Sequence, residues 1–161
     1  RIFARCFMRN SINRRTLLAT IASGYFLGTA GASLADPELP DVAAFRNPGC
    51  SCCENWAKLM KDAGFKITMS DDPDLAGRRK SLGVPESLAG CHLAQVGRYL
   101  IEGHVPIDDV LRVLDEQPDA MGLAVPGMPV GSPGMEVDGE TETYAVLLFK
   151  PDGTSKVYSQ H

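Results

Sequence analysis

Val42-Ala43-Ala44-Phe45-Arg46-Asn47-Pro48-Gly49-Cys50-Ser51-Cys52-Cys53-Glu54-Asn55-Trp56-Ala57-Lys58-Leu59-Met60 is the stretch on which the fold turns. Its apolar start predicts a short strand over 42–46, closed by Pro48-Gly49. Cys53, Trp56, Ala57 and Met60 then recur at helical spacing with charges between them, and Gly64 is a natural stop. A strand therefore runs into a turn, and a helix begins where three thiols fall within four residues. Cys53 belongs to the inward stripe of that helix, while Cys50 and Cys52 lie at its N-terminal mouth. Trp56 and Met60 read as core.

Further along, residues 65–69 alternate like a strand. Asp71-Asp72-Pro73-Asp74 predicts a helix start, with an Asp cap, Pro in the first turn and acid near the positive end of the dipole. That helix is short and ends at Gly83. The β-α-β-α order predicts a parallel strand pair. Residues 84–90 read as a loop. Two strands follow, over 91–96 and 99–104, joined at Gly97-Arg98 by a type II′ turn. Counting back from Val96 opposite Tyr99 sets Cys91 opposite His104, and His92 on the other face. Pro106 and Asp108-Asp109 open a last helix with Ile107, Val110, Leu111 and Leu114 as its stripe. The Gly/Pro-rich segment 122–135 reads as neither helix nor central strand. A strand over 144–149 turns at Pro151-Asp152-Gly153 into a final strand near 156–158. The order is α/β and thioredoxin-like: a central mixed sheet, flanking helices and a C-terminal β-hairpin. Such a fold puts its site at the start of the first helix, facing the loop before the third strand.

Upstream, Arg1, Arg5, Arg9, Arg14 and Arg15, with no acids among them, precede an apolar run over 17–27. Ser33-Leu34-Ala35 then offers small residues for signal peptidase. The expected organisation is an export signal over 1–35, removed on export, and a metal-binding domain over 36–161. Asn13-Arg14-Arg15-Thr16-Leu17-Leu18 also resembles a twin-arginine signal, and Met8 is a candidate start that would leave Cys6 upstream. The apolar run is too short to span a bilayer, so no stable membrane insertion is expected after cleavage. The expected compartment is the periplasm. Sixteen basic side chains less the five in the leader leave eleven, against twenty acidic ones, a formal charge of about −9. Nucleic acid, whose phosphates need basic patches, is not an expected partner.

Four cysteines remain beyond the leader. Two structural disulfides would allow three pairings. Adjacent Cys52 and Cys53 bond each other poorly, and if each paired elsewhere Cys50 and Cys91 would have to reach the same spot. A helix N-terminus favours thiolate, which is both nucleophile and metal ligand. Two chemistries follow. In one, Cys50 and Cys53 are a C-x-x-C pair for thiol–disulfide exchange, Cys50 attacking and Cys53 resolving; Cys52 and Cys91 then have no role. In the other, Cys50, Cys52 and Cys53 bind a soft metal such as Cu(I), and Cys91 and His104 complete the set from the facing hairpin. His92 is a further candidate ligand, less favoured by the register. His161, at the last position, is expected to fray. Met128 and Met135 bracket the Pro/Gly loop and read as gap-filling hydrophobes, with thioether ligation of Cu(I) as the rival. Zinc favours two separated ligand pairs, and no iron–sulfur spacing is present.

Pro48-Gly49-Cys50-Ser51-Cys52-Cys53-Glu54-Asn55-Trp56, Ala63-Gly64-Phe65, Leu82-Gly83-Val84-Pro85, Cys91-His92 and Glu102-Gly103-His104-Val105-Pro106 occur in one order. Gly122-Leu123-Ala124-Val125-Pro126-Gly127-Met128-Pro129 and Gly131-Ser132-Pro133-Gly134-Met135-Glu136 follow. This series resembles the CopG-type copper-resistance proteins, a family long catalogued as a domain of unknown function. The resemblance implies a periplasmic, thioredoxin-like copper-binding protein, working with other periplasmic copper-handling proteins and interconverting Cu(I) and Cu(II). It carries Cys50, Cys52, Cys53 and Cys91 over as copper-binding positions, with His104 beside them. Ser51 stands where the family more often has Gly, which changes the loop and removes no ligand.

Overall fold

The strand predicted over 42–46 is β1 (Val42–Arg46), whose alternation buries Val42 and Ala44. The computed structural model describes residues 38–161, so the export signal expected over 1–35 lies outside the described residues. The first helix is α1 (Ser51–Asp62), and it buries Cys53, Trp56, Ala57 and Met60, the four residues of the predicted stripe. Gly64 follows its end at φ +97°, a conformation that costs glycine little. The next strand is β2 (Ile67–Asp71), two residues later than the alternation predicts. Phe65 is instead a buried loop residue packed in the core. β1 and β2 pair in parallel, as the β-α-β order requires.

The second helix is α2 (Leu75–Leu82), capped by Asp74, whose carboxylate accepts from the Gly77 N–H. Pro73 therefore precedes the cap rather than sitting in the first turn. Gly83 ends the helix in the left-handed conformation. A 3₁₀ turn, Glu86–Leu88, lies within the expected loop. β3 (His92–Val96) and β4 (Tyr99–Glu102) pair with Val96 opposite Tyr99. Gly97 has φ +56° and Arg98 is not among the positive-φ residues, which fits the type II′ turn. α3 (Ile107–Glu116) buries Val110 and Val113, and Ile107, Leu111 and Leu114 pack partly buried against the same core.

The Gly/Pro-rich segment departs from expectation. Residues Gly122–Ala124 form β5, a central strand parallel to β4 and antiparallel to β6 (Ala145–Phe149). A Cβ on Gly122 would lie 1.8 Å from the Leu100 carbonyl oxygen, so glycine is what lets the strand enter. β7 (Ser155–Gln160) completes the C-terminal hairpin. The sheet has seven strands in the order β2-β1-β3-β4-β5-β6-β7. Trp56 and Met60 of α1 and Val110 and Val113 of α3 share one core with Ala94, Val96, Ile101 and Leu123. Leu75 of α2, Val84 and Leu88 share a second core with Leu93, Leu100 and Phe149. Neighbouring strand residues go to opposite cores, as a sheet covered on both faces demands. The fold is thioredoxin-like, and it brings the start of α1 against the segments before β3 and after β4.

His161 does not fray. Its N–H and C=O pair with Tyr144, its ring stacks on Tyr144 at 5.3 Å, and Nε2 lies 2.8 Å from Asp109 Oδ2. Asp109 is buried at the start of α3, and the Ser159 hydroxyl also donates to it.

Candidate metal centre

Cys50 is the N-cap of α1 and its side chain caps no backbone N–H. Its sulfur is thus free to face its neighbours. Arg46, at the end of β1, donates to the Cys50 carbonyl at 3.0 Å and pairs with Glu54 and Asp71. Cys52 is half-buried in the first turn and Cys53 is fully buried one residue on. Cys50 and Cys53 are joined as a disulfide, while Cys52 and Cys91 are free.

Cys91 comes in from the loop before β3. Its sulfur lies 3.3 Å from Cys53 Sγ and 3.9 Å from Cys52 Sγ, and Cys52 Sγ lies 3.4 Å from Cys50 Sγ. All four sulfurs fall within 4.8 Å of one another. The helix-start cysteines and the distant Cys91 do share one place, as expected from the sequence.

His104 follows β4. Its Nδ1 lies 2.8 Å from the Pro133 carbonyl oxygen, which can only accept, so Nδ1 carries the proton. Nε2 then presents a lone pair to Cys91 Sγ, 2.8 Å away. A backbone oxygen on one ring nitrogen fixes the tautomer that leaves the other free to accept a proton or a metal. Burial lowers the affinity of the His104 ring for a second proton, partly opposed by Pro133 and Glu136. The neighbourhood of Cys91 and His104 is therefore as the strand count predicts, although the ladder itself ends at Leu93 opposite Glu102.

His92 corrects the expectation. It does not point to the far face. Its Nδ1 lies 3.4 Å from Cys91 Sγ, and its ring packs on Trp56 at 4.4 Å and edge-on to His104 at 5.1 Å. Alternation fails because Cys91 sits in a bend before the strand begins. Cys91, His92 and His104 form a second compact group of donors that shares its sulfur with the first. His92 is fully buried and its Nε2 has no hydrogen-bond partner among the described residues.

The electrostatics hold Cys91 and His92 uncharged. Burial, with the nearby Cys52, pushes the Cys91 thiol up to about 12. Burial, with His104 and Arg79, brings the His92 imidazole down to about 3. At neutral pH Cys91 is a thiol and His92 is uncharged. Binding Cys91 as a thiolate must then release a proton.

The loop after β5 closes over the centre. Gly134 has φ +86°, and a Cβ there would lie 2.8 Å from Trp56 N and 2.9 Å from the Cys52 carbonyl oxygen. That close approach delivers Pro133 to His104. Met128 is 53% exposed on this loop, so it fills no gap, and Met135 is half-buried beside Gly134. Both thioethers stand on the covering segment. Sequence reading missed Pro133, whose role is carried by a backbone oxygen, and the buried pair Arg79–Glu102 beneath Cys91. A lone Glu102 in the apolar run Tyr99-Leu100-Ile101 was the available signal for the second.

Residues 88–135 match the family described as "Protein of unknown function, DUF411". No curated protein matches the chain. Two solved structures do, both described as copper resistance protein CopG, in forms 1 and 2. Each is 38% identical over 98% of its own length, covering 77% and 76% of this chain, with TM-scores of 0.73 and 0.72.

Proposed function

We propose that this chain, which belongs to the CopG copper-resistance family, binds copper through Cys50, Cys52, Cys53 and Cys91, with the His104 imidazole beside them. The observation that carries the reading is four sulfurs within 4.8 Å of one another at the start of a helix. The donors fit the ion: thiolate and imidazole select soft metals, and clustered thiolates suit Cu(I). His92 adjoins as a further donor. Met128 and Met135 offer thioethers on the covering loop. The Cys50–Cys53 disulfide must be reduced before all four sulfurs can donate. Copper supplies one-electron chemistry when bound, and the Cys50–Cys53 dithiol–disulfide pair is a two-electron store beside it. That adjacency is our basis for a role in interconverting Cu(I) and Cu(II).

The arginine-rich leader and small-residue cleavage site support export to the periplasm, with other copper-handling proteins there as partners. Among the described residues no helix is long and apolar enough to cross a membrane.

The test is titration of the reduced protein with Cu(I) against a chromogenic chelator. Cys52→Ser and Cys91→Ser should each weaken binding by about tenfold or more. Binding unchanged by Cys52→Ser would end the reading. A second reading, thiol–disulfide exchange, is favoured by the Cys50–Cys53 bond itself. It predicts insulin reduction that survives Cys52→Ser and Cys91→Ser and is lost with Cys50→Ser.

A further inference from the structure

Cys91 is the hub of the candidate centre, yet its backbone belongs to no strand ladder. β3 begins one residue later, and its pairing with β4 stops at Leu93 opposite Glu102. The preceding residue, Gly90, has both backbone polar groups held by one buried ion pair. Its N–H donates to Glu102 Oε1 at 2.7 Å, and its carbonyl accepts from Arg79 Nη2 at 2.8 Å. The Arg79 fork closes on the same carboxylate, with Nε 3.0 Å from Oε2 and Nη2 2.7 Å from Oε1. Glu102 is fully buried and the Arg79 side chain is 11% exposed.

The two residues come from different elements. Arg79 stands on α2, and Glu102 ends β4, two residues before His104. The clamp therefore ties the backbone that carries Cys91 to the strand that delivers His104. Two glycines bring these backbones into contact. A Cβ on Gly90 would lie 2.6 Å from Gly103 Cα, and one on Gly103 would lie 2.5 Å from the Val125 carbonyl oxygen.

We propose that Arg79 and Glu102 are positioning residues for the metal centre, setting Cys91 Sγ against Cys52, Cys53 and His104. The proposal rests on the copper-binding reading above. An ion pair this deep is a poor way to gain stability, because apolar residues of the same volume serve as well or better. A planar fork that satisfies a carboxylate and a carbonyl together gives directional fixing, which an ammonium cannot copy. Outer partners of metal-site donors contribute about 10–100-fold in metal affinity.

The experiment uses the full chain, reduced, with Arg79→Lys and Glu102→Gln, and Cys91→Ser as reference. Arg79→Lys keeps the charge and loses the fork; Glu102→Gln keeps the shape and loses the ion pair. Three quantities are measured where circular dichroism shows each variant folded: Cu(I) affinity by chelator competition, the near-ultraviolet sulfur-to-copper absorption, and the alkylation rate of Cys91 without metal. Both variants should bind Cu(I) about 10–100-fold more weakly, with a changed absorption and faster Cys91 alkylation. Variants that melt earlier but match the wild type in all three quantities would overturn the proposal. Should a single variant not fold, Arg79→Met combined with Glu102→Leu removes both charges together, and wild-type values in that folded protein would overturn it equally. If Cys91→Ser binds Cu(I) as the wild type does, the copper reading fails instead. The metal-free alkylation rate then still decides whether the clamp holds Cys91.

Discussion

His92 is held neutral against Trp56, with an imidazole brought down to about 3 chiefly by burial. A histidine whose folded value lies below the unfolded one, about 6.5, contributes stability that is complete above 6.5. That stability is lost as pH falls toward 3, because the unfolded chain takes up the proton first. The size is on the order of 3–5 kcal/mol. Urea unfolding at pH 7 and pH 4 should therefore show a loss that is smaller in His92→Phe, which keeps a buried ring and cannot titrate. An identical loss in both proteins would remove His92 as the cause. The meeting of Cys91 with His104 was legible in the sequence, since it needed only a two-residue turn and a count. That Cys91 would come to the same side as His92 was not, since His92 keeps the Trp56-facing side of Ala94 and Val96 and Cys91 is the residue that departs. The count ran through Cys91, and the chain bends there before the strand begins. Where regular pairing stops, alternation carries no information.

Among the elements, the first helix and its buried stripe were the most legible, because four apolar positions at helical spacing leave one face to bury. β5 was the least. It is three residues long, and the glycine that made it look like loop is required by the 1.8 Å approach to Leu100 O. The covering loop was legible as irregular, but its docking on α1 was not, since the contacts are to backbone. Gly134→Ala tests that docking. The left-handed backbone and the contacts with Trp56 N and Cys52 O leave no space for a methyl group. The expected cost is about 1–3 kcal/mol, together with a displaced Pro133 carbonyl. His104 would then lose its acceptor, so the ring proton seen by NMR on Nδ1 should exchange faster. An unaltered melting temperature and exchange rate would show that the loop yields freely.

Over the whole molecule, the seven-stranded sheet separates two cores, and the site sits at its rim where α1, β3 and β4 converge. The Cys50–Cys53 crosslink spans a sequence separation of only three residues. So short a loop restrains the unfolded chain weakly, by about 2 kcal/mol in the chain-entropy treatment. Reduction should leave the circular dichroism spectrum unchanged and lower unfolding stability by no more than about that amount. Alkylation of the four cysteines between 50 and 91 should rise from two modified thiols to four. A reduced protein that loses its secondary structure would mean the bond is structural. The order of strands and helices was legible except for β5; the strength of this crosslink's grip on the fold was not, because it depends on which cysteines pair.

The chain contains a single tryptophan, Trp56. Its ring lies 4.4 Å from His92, its indole N–H donates to the Val105 carbonyl, and Gly134 of the covering loop passes so close to its backbone that a Cβ there would lie 2.8 Å from Trp56 N. The molecule thus carries a built-in optical probe in the wall of its candidate centre. Light emitted by the indole originates there and nowhere else, so loading, reduction or loop displacement can be followed in the untouched protein without a dye or a label.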